Sequence, residues 1–461
     1  MNVKFRLTLM NFLQFFVWGA WLITIANYWF GTKQWDGTQF GAIFATMGFA
    51  SLVMPTLTGI IADKWVNAEV LYSILHIFYG LVLFYLPQVG TPNEFFWIML
   101  LAMSFYMPTI ALSNSISYTT LKSTNMDVVK NFPPIRVWGT VGFIAAMWMT
   151  NLTGNKATAY QFYIAGAAAI ALGIYSLTLP KCPPQKLIDE KKTFAETFGL
   201  TAFKLFTNYK MALFFIFSMF LGASLQLTNA YGDVFLDEFK LLPKYADSFV
   251  IKYSTIIMSI SQVSETLFIL AIPFFLKRFG IKKVIVIAMF AWVLRFGFFA
   301  YGDPAGNLWM IILSCIVYGM AFDFFNISGS LFVETSTTPK MRSSAQGMFM
   351  MMTNGFGAVF GSLISGWMID KYFTKSYTDI QSLAARVDAD PTNTHLAGFL
   401  QNKGITILEN GSLSRALDVK DWHQIWLAFT IYALIITVLF AIVFKHKHNR
   451  AEEAAIEAMN H

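Results

Sequence analysis

The sequence predicts an all-α membrane protein, with twelve transmembrane helices in two pseudo-symmetric six-helix bundles, and three observations carry that prediction. Apolar runs of about 20 residues recur along the whole chain, each long enough to cross a hydrocarbon core of about 30 Å at about 1.5 Å per residue. Mean hydropathy is +0.54, with 56% hydrophobic, 17% aromatic and only 13% charged residues, which excludes an ordinary water-soluble domain. The basic residues are sorted by loop. With the N-terminus inside, Lys4, Arg6, Lys64, Lys122, Lys130, Lys181, Lys186, Lys191, Lys192, Lys277, Arg278, Lys340, Lys447 and Arg450 are among those on the cytoplasmic side. Short outside loops hold Lys33, Lys156, Lys240, Lys244 and Lys252. That asymmetry places both termini in the cytoplasm, as an even number of spans requires. The net charge of +7 therefore reports orientation, and no nucleic-acid partner is expected.

Span 1, about residues 5–30, is too long for a signal-peptide core and is read as retained. Span 2 covers about 40–62 and ends in GIIADKW, in which Gly59, Asp63 and Lys64 resemble the loop between spans 2 and 3 of the major facilitator superfamily, while Trp65, Val66 and Asn67 depart from it. FLKRFGIKK, at 275–283, holds the corresponding place in the second half without the acidic residue. Span 3 runs over about 70–86 and span 4 over 96–118. PTIALSNSIS in span 4 echoes AFDFFNISGS of span 10, with Asn114 opposite Asn326. Paired loops, a six-plus-six count and a basic linker at 181–210 point to two homologous halves.

Span 5 opens with NFPPIRVWGTVGF, and a start or kink is expected at Pro133 and Pro134. Arg136 lies about 22 Å inward of Asn151 at helical rise, in the inner half of the membrane. It is either a snorkelling anchor or, with Thr140 and Phe143 on the same face at i, i+4 and i+7, part of a binding wall. Span 6 covers about 160–179. Span 7, 211–231, carries Gln226 and Asn229 at i, i+3. Span 8, 253–276, repeats that spacing with Gln262 and Glu265, and Pro273 marks a kink. Span 9, 284–301, has Arg295 as its only charge, read first as structural.

Span 10 carries the first candidate for function. YGMAFDFFNISGSLFVE, 318–334, puts Asp323 at membrane depth among aromatic and small residues. An ionised side chain there costs about 2.5–3.5 kcal/mol on insertion scales, so it faces a water-filled path or a partner. Span 11, 343–368, is rich in Gly and Met, which lets helices approach and slide. About fifty mostly polar residues, 372–421, follow on the outside as short helices or a loop, and span 12 covers 422–444. Cys182 falls in the linker and Cys315 in a span, so neither a disulfide framework nor a metal site is expected.

The intramembrane candidates are thus Arg136, Thr140, Phe143, Gln226, Asn229, Gln262, Glu265, Tyr318, Phe322 and Asp323, from both halves. In a two-repeat transporter such residues converge near the midplane. Amides and carboxylates hydrogen-bond vicinal hydroxyls while flat rings stack on bases or sugar faces, which fits a neutral molecule carrying both. No P-loop occurs, so ATP is not the direct energy source and an ion is expected to drive transport. A carboxylate whose surroundings alternate between two compartments can take up and release a proton, and Glu265 or Asp323 is expected to do so. An intramembrane enzyme is disfavoured: of the six histidines only His76 lies clearly within a span, and none forms H-E-x-x-H.

FPPIRVWGTVGF, SMFLGASLQLTN, IIMSISQVSETLFILAIPFFL, RFGFFAYGDP, VYGMAFDFFNISGSLFVE and SAQGMFMMMTNGFG resemble the bacterial nucleoside/proton symporter family of the major facilitator superfamily over nearly all the spans. The resemblance implies alternating access and proton-driven nucleoside import at the inner membrane. The family's intramembrane groups would fall on Arg136, Gln226, Asn229, Glu265 and Asp323. It also implies that the segment before span 12 is short in the relatives. The expected organisation is an N-terminal bundle 1–180, a cytoplasmic linker 181–208, a C-terminal bundle 209–445 with an outside insert 372–421, and a cytoplasmic tail 446–461. Nucleoside, proton and bilayer are the expected partners of a monomer without cofactor. A proton- or sodium-coupled symporter of another small polar solute, such as a sugar, is the alternative.

Overall fold

The computed structural model describes residues 2–184, 200–245, 247–338 and 341–446. Most of the linker, the tail beyond His446, and Lys186, Lys191, Lys192, Lys340, Lys447 and Arg450 lie outside the described residues. The first half contains α1 (Val3–Gly19), α2 (Gly37–Lys64), α3 (Ala68–Tyr85), α4 (Pro92–Ser123), α5 (Val128–Leu152) and α6 (Tyr160–Ser176). The second contains α7 (Tyr209–Glu238), α8 (Ser254–Tyr301), α9 (Leu308–Ser336), α10 (Arg342–Met350) and α11 (Ala358–Phe373). It then adds β1 (Thr374–Asp379), α12 (Ile380–Arg386), α13 (Thr394–Asn402), β2 (Ser412–Lys420) and α14 (Trp422–Val443).

Eight helical segments among the described residues are long and apolar enough to cross a membrane, and the 48-residue α8 holds expected spans 8 and 9 together. Its break is at Gly280, with φ 72° and ψ 166°, a conformation open to glycine, and not at Pro273, which lies within the helix. Helix α5 likewise starts five residues before the prolines, where the Asp127 side chain accepts from the Lys130 N–H, so Pro133 and Pro134 sit inside it. Span 1 is also interrupted: α1 ends at Gly19, and a wide π-type turn covers Asn27–Lys33. A second such turn, Met351–Gly357, joins α10 to α11 within span 11.

In the first half α1 packs on α5, α3 on α6 and α2 on α4; in the second α8 packs on α9 and α14, and α7 on α11. The halves meet along α2 with α11 and α5 with α8. Small residues permit the first of these contacts, as a Cβ on Gly41 would run into the Ser362 carbonyl and lie 3.0 Å from the Gly366 Cα. A polar knot ties α1, α3 and α4 inside the first half. Gln14 Nε2 donates to Thr109 Oγ1 (2.9 Å), and its Oε1 accepts from the Tyr72 hydroxyl (2.5 Å) and faces His76 Nε2 (2.8 Å). His76 is thus committed to structure.

The segment before span 12 is ordered, a choice the sequence left open. Strands β1 and β2 pair antiparallel with Thr374 opposite Lys420, and the two short helices close over a separate apolar core of Tyr377, Ile380, Leu383, Leu396 and Leu400 together with Leu241 in the turn that follows α7. This insert sits on the second half, where His395 Nε2 lies 2.8 Å from the Lys240 carbonyl and Lys420 Nζ donates to Glu238 Oε1 (2.9 Å).

Side-chain hydrogen bonds and ion pairs between the halves lie toward the insert end among the described residues. Asn27 donates to Asp233, Thr38 Oγ1 to Asp370 Oδ2 (2.7 Å), and Asn151 Nδ2 to the Lys252 carbonyl (3.0 Å). Lys156 Nζ reaches Asp237 (2.6 Å) and Ser254 Oγ (2.8 Å). Burial pulls the Lys156 ammonium down, but Asp237 and Asp233 outweigh it and hold the group above the usual lysine range. The molecule is shut at this end.

Candidate functional site

Where α5 crosses α8, a row of charges runs from one half to the other. Arg136, half-buried on α5, lays its guanidinium over the Phe15 ring of α1 at 4.0 Å. It is within Coulombic reach of Glu265 on α8, which in turn is within reach of Asp323 and Tyr318 on α9. Arg136 and Glu265 do not form an ion pair within 4.0 Å among the described residues, so the two interact across a gap. Asp323 is 5% exposed, and its Oδ2 is buried without a hydrogen-bond partner among the described residues.

Helix contacts explain why these groups fall together. Gly319, one turn before Asp323, faces the backbone of Ser264 and Glu265, and an added Cβ would lie 2.5 Å from the Ser264 carbonyl carbon and 2.6 Å from the Glu265 nitrogen. The Ser264 hydroxyl donates to the Ile316 carbonyl across the same contact. The close approach of α8 and α9 therefore sets the spacing of Glu265 from Asp323. A β-carbon at residue 319 would change it.

Tyr318 and Phe322 stack with ring centroids 5.9 Å apart and planes 2° from parallel, so the two form one plate along α9. Phe322 borders a small cavity, about 20 Å³, that it shares with Trp292, Asn326, Thr353 and Asn354. Phe143 meets Trp18 edge to face at 6.2 Å and is buried, while Thr140 is half-buried between Arg136 and Phe143 on α5. Gln226 on α7 is 8% exposed with Oε1 unpartnered among the described residues, and Gln262 Oε1, one turn before Glu265, is the same. Asn229 is half-buried one turn beyond Gln226. The electrostatics thus link Arg136, Glu265, Tyr318 and Asp323, whereas Gln226 and Asn229 contribute from a separate helix. An unsatisfied buried polar atom costs about 1–3 kcal/mol, which a ligand supplying the missing partner returns.

Sequence reasoning missed the support of this wall. Phe15 and Trp18, i and i+3 on α1, carry Arg136 and Phe143, but two aromatics in an aromatic-rich span give no signal of their own. It also missed Asp233, 1% exposed, although that carboxylate lies two turns beyond Gln226 on the same helix and was visible by the criterion that selected Asp323. Arg295 is fully buried and pairs with neutral groups: Nε donates to Thr228 Oγ1 (3.0 Å), and Nη1 to the Ser314 carbonyl (2.8 Å) and Ser261 Oγ (3.3 Å). Its guanidinium lies 4.6 Å from the Tyr318 ring centroid. Arg295 thus joins α7, α8 and α9 and holds the plate that Phe322 extends. Arg295→Ala is expected to lower stability by at least about 1–3 kcal/mol, since three acceptors lose their donor, and a drop in the melting temperature of the purified protein checks it.

Comparison with known proteins bears on this arrangement. Residues 1–389 match the family model described as Nucleoside H+ symporter. The chain is 45% identical to the nucleoside permease NupG of Escherichia coli (strain K12), with 98% of each chain covered. To the xanthosine permease of the same organism it is 47% identical, with 97% of each covered. It superposes on the crystal structure of the nucleoside transporter NupG with a TM-score of 0.82 at 44% identity, covering 97% of this chain and 100% of that one.

Proposed function

This chain belongs to the nucleoside H+ symporter family, a family of membrane transporters and not of enzymes, and from that premise we propose how its own residues couple a nucleoside to a proton. The nucleoside sits between the halves, with Arg136, Thr140 and Phe143 on one side and Gln226, Asn229, Gln262, Glu265, Tyr318 and Phe322 on the other. The parallel rings of Tyr318 and Phe322 stack on the base. The amides and Glu265 take the ribose hydroxyls. Glu265 and Asp323 exchange the proton: their mutual reach means that a charge on one opposes a charge on the other, and Arg136 offsets only the nearer. The observation that carries this reading is the row Arg136, Glu265, Asp323, which crosses the contact between the halves at a depth where unpaired charges are costly.

The insert end faces away from the cytoplasm, both termini lie inside the cell, and the chain works as a monomer in the inner membrane. Residues 1–180 and 209–445 rock as two bodies joined by the linker 181–208, with 372–421 as an outside insert and 446–461 as a tail. Counterflow in proteoliposomes with a panel of nucleosides and sugars, under imposed pH or sodium gradients, tests the proposal. Nucleoside exchange and pH-driven accumulation are expected. Sugar exchange without nucleoside exchange, or accumulation driven by sodium alone, would overturn it.

A further inference from the structure

The insert rides on the second half but also reaches the first. Gln34 Nε2, in the turn after span 1, donates to the Lys403 carbonyl at 2.7 Å. Lys403 Nζ donates to the Phe30 carbonyl at 3.3 Å, and Lys420 Nζ stands 3.8 Å over the Phe30 ring. On its other side Lys420 bonds Glu238, whose second oxygen accepts from Trp422 Nε1 (2.7 Å), and Lys420 is only 6% exposed. Below the insert, and bounded by the same Phe30, Lys403, Lys420, Glu238 and Trp422, lies a cleft of about 970 Å³. Every one of the contacts to Phe30 and Gln34 joins two bodies that must part if this end is to open.

We propose that residues 374–420 are the outer lid of the transport path, with Lys403 and Lys420 the positioning residues that fasten it to the Phe30–Gln34 turn when the outer end is shut. The lid's own core and its bonds to α7 keep it on the second half, so opening breaks only the fastening. The cleft beneath is then the route by which solute arrives. This rests on the orientation and alternating access proposed above. The charge on Lys403 gives the fastening a pH dependence. Burial, then Lys240, lowers this lysine to about 8, with Lys420 adding to that and Glu238 and Asp237 opposing it. With its ordinary value in the open state, closing releases a proton. Shutting is therefore hardest below about pH 8 and eases as the outside pH rises above it.

The test reads gate opening without any nucleoside, which separates its failure from failure of the substrate assignment. A reporter Gly37→Cys, buried at the shut end beside Asp370, is labelled in proteoliposomes by a membrane-impermeant maleimide; the two native cysteines, Cys182 and Cys315, are buried. Labelling is expected to speed up in Gln34→Ala and in Lys420→Met, each of which loses a contact between the insert and the Phe30–Gln34 turn. In the parent it should be slower above about pH 8 than below, a difference absent from Lys403→Met. A reducible thiol cross-linker between Gln34→Cys and Lys403→Cys is expected to stop uptake and labelling until cleaved. Unchanged labelling in both single variants, or full uptake by completely cross-linked protein, would overturn the lid.

Discussion

Changing Glu265 to Gln or Asp323 to Asn is expected to abolish accumulation driven by a proton gradient. Both substitutions keep size and hydrogen-bonding capacity and remove only the ability to gain and lose a charge. In Glu265→Gln the Arg136 guanidinium loses the carboxylate it faces across the two halves, and in Asp323→Asn Glu265 loses the neighbour whose charge opposes its own. With the titrating group gone, a pH gradient has nothing to act on at that position, and accumulation should fall to the level reached without a gradient. Nucleoside counterflow, which needs no net proton movement, should survive better in Asp323→Asn. Glu265 also faces the proposed ribose site, so Glu265→Gln should weaken both. Initial rates in proteoliposomes at several outside pH values measure this, and wild-type pH dependence in both variants would remove the two carboxylates from the proton path.

Gly41→Val is expected to be as damaging by a different route. Any β-carbon here meets the Ser362 carbonyl and the Gly366 backbone, neither of which can turn aside as a side chain would. The resulting strain, about 1–3 kcal/mol for overpacking, is present only while the insert end is shut. It should shift the equilibrium away from that state by about 5- to 150-fold and stop the cycle there. Transport should be lost while the variant still elutes as a single folded species and labels faster at exposed positions on that side. Gly41→Ala should be intermediate, and uptake by Gly41→Val at the wild-type rate would mean that the closed contact is not obligatory.

Much of this was legible from hydropathy and from the cost of burying charge. Asp323, Glu265 and Arg136 stand out one helix at a time because membrane depth penalises them, and the structure brings Glu265 within electrostatic reach of each of the other two. The breaks were less legible. Pro273 stays within α8 while Gly280 interrupts it, because a proline removes one hydrogen bond locally whereas a backbone turned to φ 72° redirects the chain. Gly319 and Gly41 read in sequence like any other small residue of a membrane helix, and their meaning comes from the helix opposite. The strand pair of the insert was hidden by its composition, since Ser412–Lys420 mixes polar and apolar residues without the strict alternation that marks a strand.

The pairing of Thr374 with Lys420 has a practical corollary. It brings the point where the polypeptide leaves span 11 beside the point where it re-enters span 12, so a turn of a few residues is long enough to replace everything between. A compact guest domain with adjacent termini, such as a fluorescent reporter or an antibody epitope, can be grafted there without stretching either membrane helix.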